Sequence, residues 1–288
     1  MSDETTVFST SDAGVATITL NRPQVYNAFN AQLHRELYAA LREAERNGAV
    51  RCVVITGAGK AFCSGQDLKE VPEDAGPMVS EAIRKRYNPL VLKLRKLGKP
   101  VIAAVNGVAA GAGLSLALAC DLRIAAQSAR FSAAFVNIAL VPDSGLTYFL
   151  PRLIGHGRAL EMALLGQPID ATTALSWGLV NRVTGDEEFP DAVQALAAQL
   201  AAGPTRTLSL IRRNFDYAQD ASLEQVLEWE AQAQQAAIDG GEYNEGVAAF
   251  REKRRPEYLG GYRVQVLLSL YPVSYFLVLA LKNRSARR

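Results

Sequence analysis

The sequence predicts a layered α/β fold that passes into a region of helices alone. Three observations lead there. Short apolar runs that read as buried strands alternate with longer stretches of helical period up to about residue 183, as a layered α/β fold requires. From about Asp191 onward only helical patterns remain. Between Val101 and Asp143 an apolar strand, a glycine-rich turn and an all-apolar helix follow one another directly.

Taken in order, Ala16-Thr17-Ile18-Thr19-Leu20 alternates with period two and predicts a strand with one buried face, ended by Asn21-Arg22-Pro23. Asn30 is placed to cap a helix with Leu33, Leu37 and Leu41 on one face, closing at Asn47-Gly48. Residues 50–56 form a second buried strand that opens into the loop GAGKAFCSGQDLKE. The breaker-rich segment 72–77 predicts a mobile surface stretch, and 78–97 a helix. Lys99-Pro100 then introduces the strand VIAAV, which ends at Asn106-Gly107 and the cluster Gly111-Ala112-Gly113. Residues 114–120 carry no charge and no helix breaker, the mark of a helix buried all round. Such a helix start aims free N–H groups at whatever lies before it. Close packing of backbones explains the small residues equally well.

Beyond Asp143, residues 144–154, 158–165 and 171–177 read as short helices, the first two separated by Gly155, and 179–183 as a strand. Four helices follow at 192–201, 205–217, 223–238 and 243–253. The uncharged run 264–281, followed by KNRSARR, is at the short end for a membrane span of roughly 17–25 residues. Gln265, two serines and Pro272 argue instead for a docked C-terminal helix. Membrane contact through 264–281, as a tail anchor or an interfacial helix, stays open.

The composition narrows the class. A chain of 288 residues with 49% apolar and 21% charged residues can build a full core as one large domain or two small ones. A net charge of +2, with no interleaving of basic and aromatic residues, argues against nucleic acid. Cys52, Cys63 and Cys120 are odd in number and scattered, as expected of reduced core thiols in a cytoplasmic protein. Only two histidines, His34 and His156, are present, so no metal is expected. The acidic start MSDETTVF does not read as a secretory signal.

Among the loops, Thr56-Gly57-Ala58-Gly59-Lys60 has the look of a nucleotide loop but completes neither G-x-G-x-x-G nor a P-loop. Its continuation is more specific. The AFCSGQDL loop, the VNGVAAGAG turn and the ACDLRIAA strand together resemble the crotonase, or enoyl-CoA hydratase/isomerase, superfamily over about residues 5 to 260. That resemblance implies a spiral of ββα repeats over 1–200, a C-terminal helical region over 201–260 used to form a trimer or hexamer, and a tail, 261–288, outside the family. It implies acyl-CoA thioester substrates and no cofactor, CoA being part of the substrate.

By the same resemblance, two backbone N–H groups hold the thioester oxygen: that of Gln66 and that of Ala112, or Gly113 if the register slips by one. Removing a proton next to a thioester drives negative charge onto its oxygen, and fixed donors stabilise that charge most when it is fully formed. Ala61, Cys63, Ser64, Gly65, Asp67, Leu68, Gly111, Ser115, Phe135 and Lys253 are the positions implied to contact the acyl-CoA.

Carboxylates decide the expected reaction. The two glutamates of the hydratases fall on Ser115 and Phe135, neither of which moves a proton usefully at neutral pH, so hydration is not expected. Asp143 remains. Local sequence alone reads it as a helix N-cap. The resemblance makes it the single acid/base of an isomerase branch, because ARFSAAFVNIALVPDSGLTYFLPRLIG and GEYNEGVAAFREKR are similar to the ring-epoxide isomerases of phenylacetate catabolism. The implied reaction takes 1,2-epoxyphenylacetyl-CoA towards oxepin-CoA, with Phe135 as part of an apolar wall. An aliphatic 3-enoyl-CoA to 2-enoyl-CoA isomerase, and a non-catalytic acyl-CoA-binding or membrane-tethered scaffold, are the competing readings. Other polar residues are expected to be structural: Asp67 fixing its loop, Asp121 a satisfied acid, His34 and His156 at the surface or its boundary. Tyr148 and Phe149 are expected in the acyl-pocket wall or core. Arg251, Lys253, Arg254 and Arg255 read as a solvated face or a contact to CoA phosphate.

Overall fold

The computed structural model of the protein describes residues 5–70 and 79–258. The expectations for 72–77 and for the tail at 264–281 lie outside the described residues.

An antiparallel hairpin of β1 (Val7–Asp12) and β2 (Val15–Leu20) opens the chain. Three repeats then follow, each giving two strands: β3 (Cys52–Gly57) with β4 (Ala61–Cys63), β5 (Val101–Val105) with β6 (Val108–Ala110), and β7 (Leu122–Ala126) with β8 (Arg130–Ser132). Two short strands, β9 (Ile169–Asp170) and β10 (Arg182–Thr184), complete the set. The first strand of each repeat joins a six-stranded sheet ordered β1-β2-β3-β5-β7-β10, parallel from β2 onward. The second strand joins a four-stranded sheet ordered β4-β6-β8-β9, in which β9 alone runs antiparallel. Because both sheets advance one strand per repeat, the chain winds as a spiral of ββα units.

The helices fill in around the sheets. They begin with α1 (Ala31–Arg46), whose cap Asn30 accepts the Leu33 N–H at 2.8 Å. Next, α2 (Val79–Ala82) runs through a π-helical turn, Ile83–Tyr87, into α3 (Asn88–Lys96). Then come α4 (Ala112–Ala119), α5 (Leu146–Ile154), α6 (His156–Leu165) and α7 (Ala171–Trp177). The last four are α8 (Phe189–Ala202), α9 (Thr205–Ala218), α10 (Leu223–Asp239) and α11 (Glu242–Glu252).

Helices on both faces explain why β5 is apolar at every position rather than alternating. Ala103 and Val105 pack into the cluster holding Leu33 and Leu37 of α1 and Leu116 of α4. Ile102 and Ala104 pack with Leu196 and Ala197 of α8 on the other side. Every residue of α4 is buried, as its sequence predicts.

Some elements escape sequence reading for physical reasons. β1 exposes all but Val7, so it has no apolar pattern to read. β4, β6 and β8 are three residues each, too short to show a period. The strand expected at 179–183 starts at Arg182, because Leu179 and Val180 are buried in the turn before it. Towards the end of the chain, α9, α10 and α11 carry exposed Phe215, Leu223, Leu227 and Phe250. Among the described residues no helix is long and apolar enough to cross a membrane.

Candidate active site

The spiral presses two turns together, backbone against backbone. After β4 the chain turns at Gly65, whose φ of +96° suits a residue without a side chain. A Cβ on Gly65 would meet the Ala110 carbonyl oxygen at 3.1 Å and the Ala112 nitrogen at 3.4 Å. One residue after Ala112, a Cβ on Gly113 would lie 2.1 Å from the Cys63 carbonyl oxygen, so nothing larger than glycine fits there. Gly113 is therefore the packing residue, and Ala112 supplies the nitrogen that lies beside the loop.

The loop itself is tied from behind. The Phe29 N–H donates to the Gly65 carbonyl at 2.7 Å and the Phe29 carbonyl accepts from the Asp67 N–H at 2.9 Å. That pairing turns the Gln66 N–H away from Phe29. Among the described residues, no backbone carbonyl takes the Gln66 or the Ala112 N–H. Asp67 fixes the loop as expected: its Oδ1 accepts the Lys69 N–H at 3.2 Å, and its Oδ2 pairs with Arg22 at 2.9 Å. Ser64 belongs to the same turn, its N–H on the Tyr26 carbonyl at 3.0 Å, while Leu68 points to solvent. Ala61 and Cys63 are buried in β4, and burial pushes the Cys63 thiol up to about 12.

Asp143 is joined to this region through α4. Ser115, fully buried one turn into the helix, donates its hydroxyl to the Asp143 carbonyl at 3.1 Å. Asp143 does not cap α5; the cap position is Gly145, and Ser144 and Gly145 both adopt positive φ, +53° and +85°. A buried serine in the left-handed region is uncommon, and such backbone gathers at functional sites. The Asp143 carboxyl is thereby spared from capping. Burial raises the Asp143 pKa above the usual carboxylate value, and the Ser144 hydroxyl, donating to Oδ1 at 2.7 Å, partly offsets this. Phe135 is buried in a short helical turn, Ala134–Ile138, and its carbonyl accepts from the Leu140 N–H at 3.0 Å.

Comparison with known proteins fits this geometry. Residues 10–261 match the family model described as enoyl-CoA hydratase/isomerase. The chain belongs to the enoyl-CoA hydratase/isomerase family. It is 44% identical over 257 residues to the 1,2-epoxyphenylacetyl-CoA isomerase of Escherichia coli K12, covering 88% of this chain and 98% of the relative. It is also 44% identical over 247 residues to a probable enoyl-CoA hydratase of Rhodobacter capsulatus, covering 86% and 95%. Among solved structures, the putative enoyl-CoA hydratase/isomerase of Mycobacterium abscessus superposes with a TM-score of 0.84 at 42% identity, covering 88% of this chain and all of that one. The enoyl-CoA hydratase of Bacillus anthracis superposes at 0.85 with 35% identity, covering 89% of this chain and 100% of its own. The crotonase fold that the motifs imply is thus the fold of the chain.

At this candidate site the structure brings most of the expected residues together; Phe135 lies in its own turn, and Lys253 is remote. The loop from Ala61 to Leu68, the turn from Gly111 to Gly113, Ser115 and Asp143 form one connected region. Lys253 stands apart at the end of α11, exposed and in the left-handed conformation at φ +55°. Of its neighbours, Arg251 and Arg255 are exposed and Arg254 pairs with Glu245 at 2.7 Å. Asp121 is a satisfied structural acid, accepting the Val101 N–H at 2.8 Å and pairing with Arg95 and Arg212. Phe149 packs against the core, whereas Tyr148 is exposed beneath the Arg152 guanidinium.

His34 corrects the sequence reading. His156 is exposed, but His34 is buried among the core residues of α1, stacked on Phe29 at 4.5 Å. Burial lowers its pKa from 6.5 to about 4. Helical spacing alone does reach it, since His34 lies one residue from Leu33 and three from Leu37. Sequence reasoning also passed over Tyr87, whose hydroxyl donates to Gln66 Oε1 at 2.5 Å. The only signal for it was an aromatic residue within a predicted helix.

Proposed function

We propose that the protein is a CoA-thioester isomerase that shuttles one proton with Asp143, and that its substrate is 1,2-epoxyphenylacetyl-CoA. The observation that carries this reading is the bond from the Ser115 hydroxyl to the Asp143 carbonyl at 3.1 Å. It holds a half-buried carboxylic acid beside the start of α4, whose first N–H belongs to Ala112. The name of the Escherichia coli relative supports the substrate.

In the proposed reaction the thioester oxygen accepts hydrogen bonds from the Gln66 and Ala112 N–H groups, with the dipole of α4 behind the second. The Asp143 carboxylate removes a proton from the carbon next to the thioester, and the electron pair moves onto the thioester oxygen. Asp143, now protonated, returns the proton to another carbon of the conjugated system as the charge leaves the oxygen. The C–C bond shared by the epoxide and the six-membered ring breaks, its electron pair joins the π system, and the ring expands to the oxepin. Substrate and product are isomers, and the acid ends ionised as it began. No cofactor enters this scheme. Ser115 and Phe135 give water no second base, which favours isomerisation over hydration.

Assembly and placement belong to the same proposal. A trimer or hexamer formed through the C-terminal helices would cover exposed Phe215, Leu227 and Phe250, and would bring Lys253 of a neighbouring subunit to the CoA phosphates. The proposed enzyme works in the cytoplasm.

An assay of one preparation on the ring-epoxide thioester and on an aliphatic 3-enoyl-CoA tests the proposal. It predicts turnover of the first to a product of unchanged mass. A preference for the aliphatic thioester moves the protein to the other isomerase reading. A product heavier by one water contradicts the proposed chemistry.

A further inference from the structure

Tyr87 ends the π-helical turn, where the Asn88 N–H reaches the Ile83 carbonyl. A π turn inserts a residue into a helix, re-aims the side chains that follow, and is frequent at functional sites. The ring is buried and lies edge-on to His34 at 4.2 Å and to Phe29 at 5.6 Å, while Phe29 and His34 stack on each other. This cluster grips Gln66 twice. Phe29 pairs with the loop backbone on either side of Gln66, and the Tyr87 hydroxyl donates to Gln66 Oε1 at 2.5 Å. The other end of the same side chain, Nε2, donates to the Asp67 carbonyl at 3.2 Å.

We propose that Tyr87 is a positioning residue: its hydroxyl locks the Gln66 side chain and so fixes the direction of the Gln66 backbone N–H. The inference rests on the reading of that N–H as a donor to the thioester oxygen. Donors of this kind work because they are set before charge develops, so a glutamine free to swing would loosen the peptide that carries the N–H. Neither Tyr87 nor the Gln66 side chain needs to touch the substrate for this. Burial first, then Cys63 and Asp143 nearby, keep the phenol protonated and hence a donor.

The test is Tyr87→Phe, which keeps the ring in its cluster and removes only the hydroxyl. Two quantities are read: steady-state kinetics, and the thioester carbonyl stretch of phenylacetyl-CoA labelled with ¹³C at the thioester carbon and bound to the protein. We expect an unfolding temperature close to that of the parent, kcat lower by about tenfold, the scale of one neutral hydrogen bond, and KM within about twofold. The carbonyl stretch, shifted down on binding to the parent, returns part of the way to its free value. Gln66→Met removes the acceptor instead and gives the same loss. The double variant is no slower than the slower single one, since both delete one bond.

If the parent shifts the carbonyl and Tyr87→Phe and Gln66→Met keep both the full shift and the full kcat, the inference is overturned while the two-amide reading stands. A loss of stability alone, with kcat and shift unchanged, overturns it likewise. If the parent itself produces no shift, the two-amide reading fails and the inference falls with it. Asp143→Asn separates the two roles further, because it is expected to stop turnover while leaving the carbonyl shift in place.

Discussion

The Ser115 hydroxyl and the Asp143 carbonyl meet at 3.1 Å, so the helix that carries the Ala112 N–H also sets the position of the proposed acid and base. The expected cost of Ser115→Ala is about 1 kcal/mol of stability, the usual size of a neutral hydrogen bond. Activity is expected to fall further than this small loss of folded protein explains, with kcat several-fold down and KM little changed. Kinetics measured well below the unfolding temperature check this.

The pH dependence has a defined sign. Asp143 must be ionised to take a proton, and burial raises its pKa, so kcat/KM falls on the acid side at a pH above the ordinary carboxylate value. Ser144→Ala removes a donor that favours the charged form. The acid limb of the profile is then expected to move to higher pH. A shift to lower pH would contradict the assignment.

Gly113 and Ala112 separate packing from chemistry. Gly113→Ala forces a Cβ to 2.1 Å from the Cys63 carbonyl oxygen and is expected to cost about 3 kcal/mol or more. Gly48→Ala, with nothing within 4 Å of the new Cβ, serves as the control and is expected to unfold at nearly the parent temperature. Thermal unfolding of the two variants decides the point.

Ala112→Pro deletes the proposed donor itself. Ala112 is the first residue of α4, the helical position where proline is best tolerated. Folding is expected to survive while kcat falls by about 10²–10³, the usual loss for one such donor. Circular dichroism together with the kcat ratio checks both halves.

His34 sets part of the acid stability. Its pKa is about 4 when folded and 6.5 in the unfolded reference, so between these values the unfolded chain binds the extra proton. Stability therefore rises with pH across that window and is lost as pH falls through it. His34→Phe, which keeps an aromatic ring against Phe29 and Tyr87, is expected to flatten that slope. Urea unfolding at pH 4.5 and pH 7, conditions that bracket about 6.5, measures the effect.

How far the residues revealed this molecule depended on length and pattern. The helix with Leu33, Leu37 and Leu41 was legible because its leucines recur every four residues and Asn30 caps it. The buried strand VIAAV and the apolar helix after it were legible because sheets covered on both faces need unbroken apolar runs. The second sheet was not, because β4, β6 and β8 are three residues each and look like loop. At the candidate site, the motifs point to Gln66, to Ala112 or Gly113, and to Asp143, but not to which of Ala112 and Gly113 packs against Cys63. That follows from how closely two backbones approach. Tyr87 was invisible because a π-helical turn leaves no periodic trace, and its partner Gln66 is 21 residues away in the chain.

The central claim is that one carboxylate moves the proton. Asp143→Asn, purified and incubated with 1,2-epoxyphenylacetyl-CoA in deuterated water, tests it most directly. The expected result is no deuterium in the recovered thioester and no product, with CoA-thioester binding and the unfolding temperature kept. Deuterium incorporation at the parent rate would contradict the account.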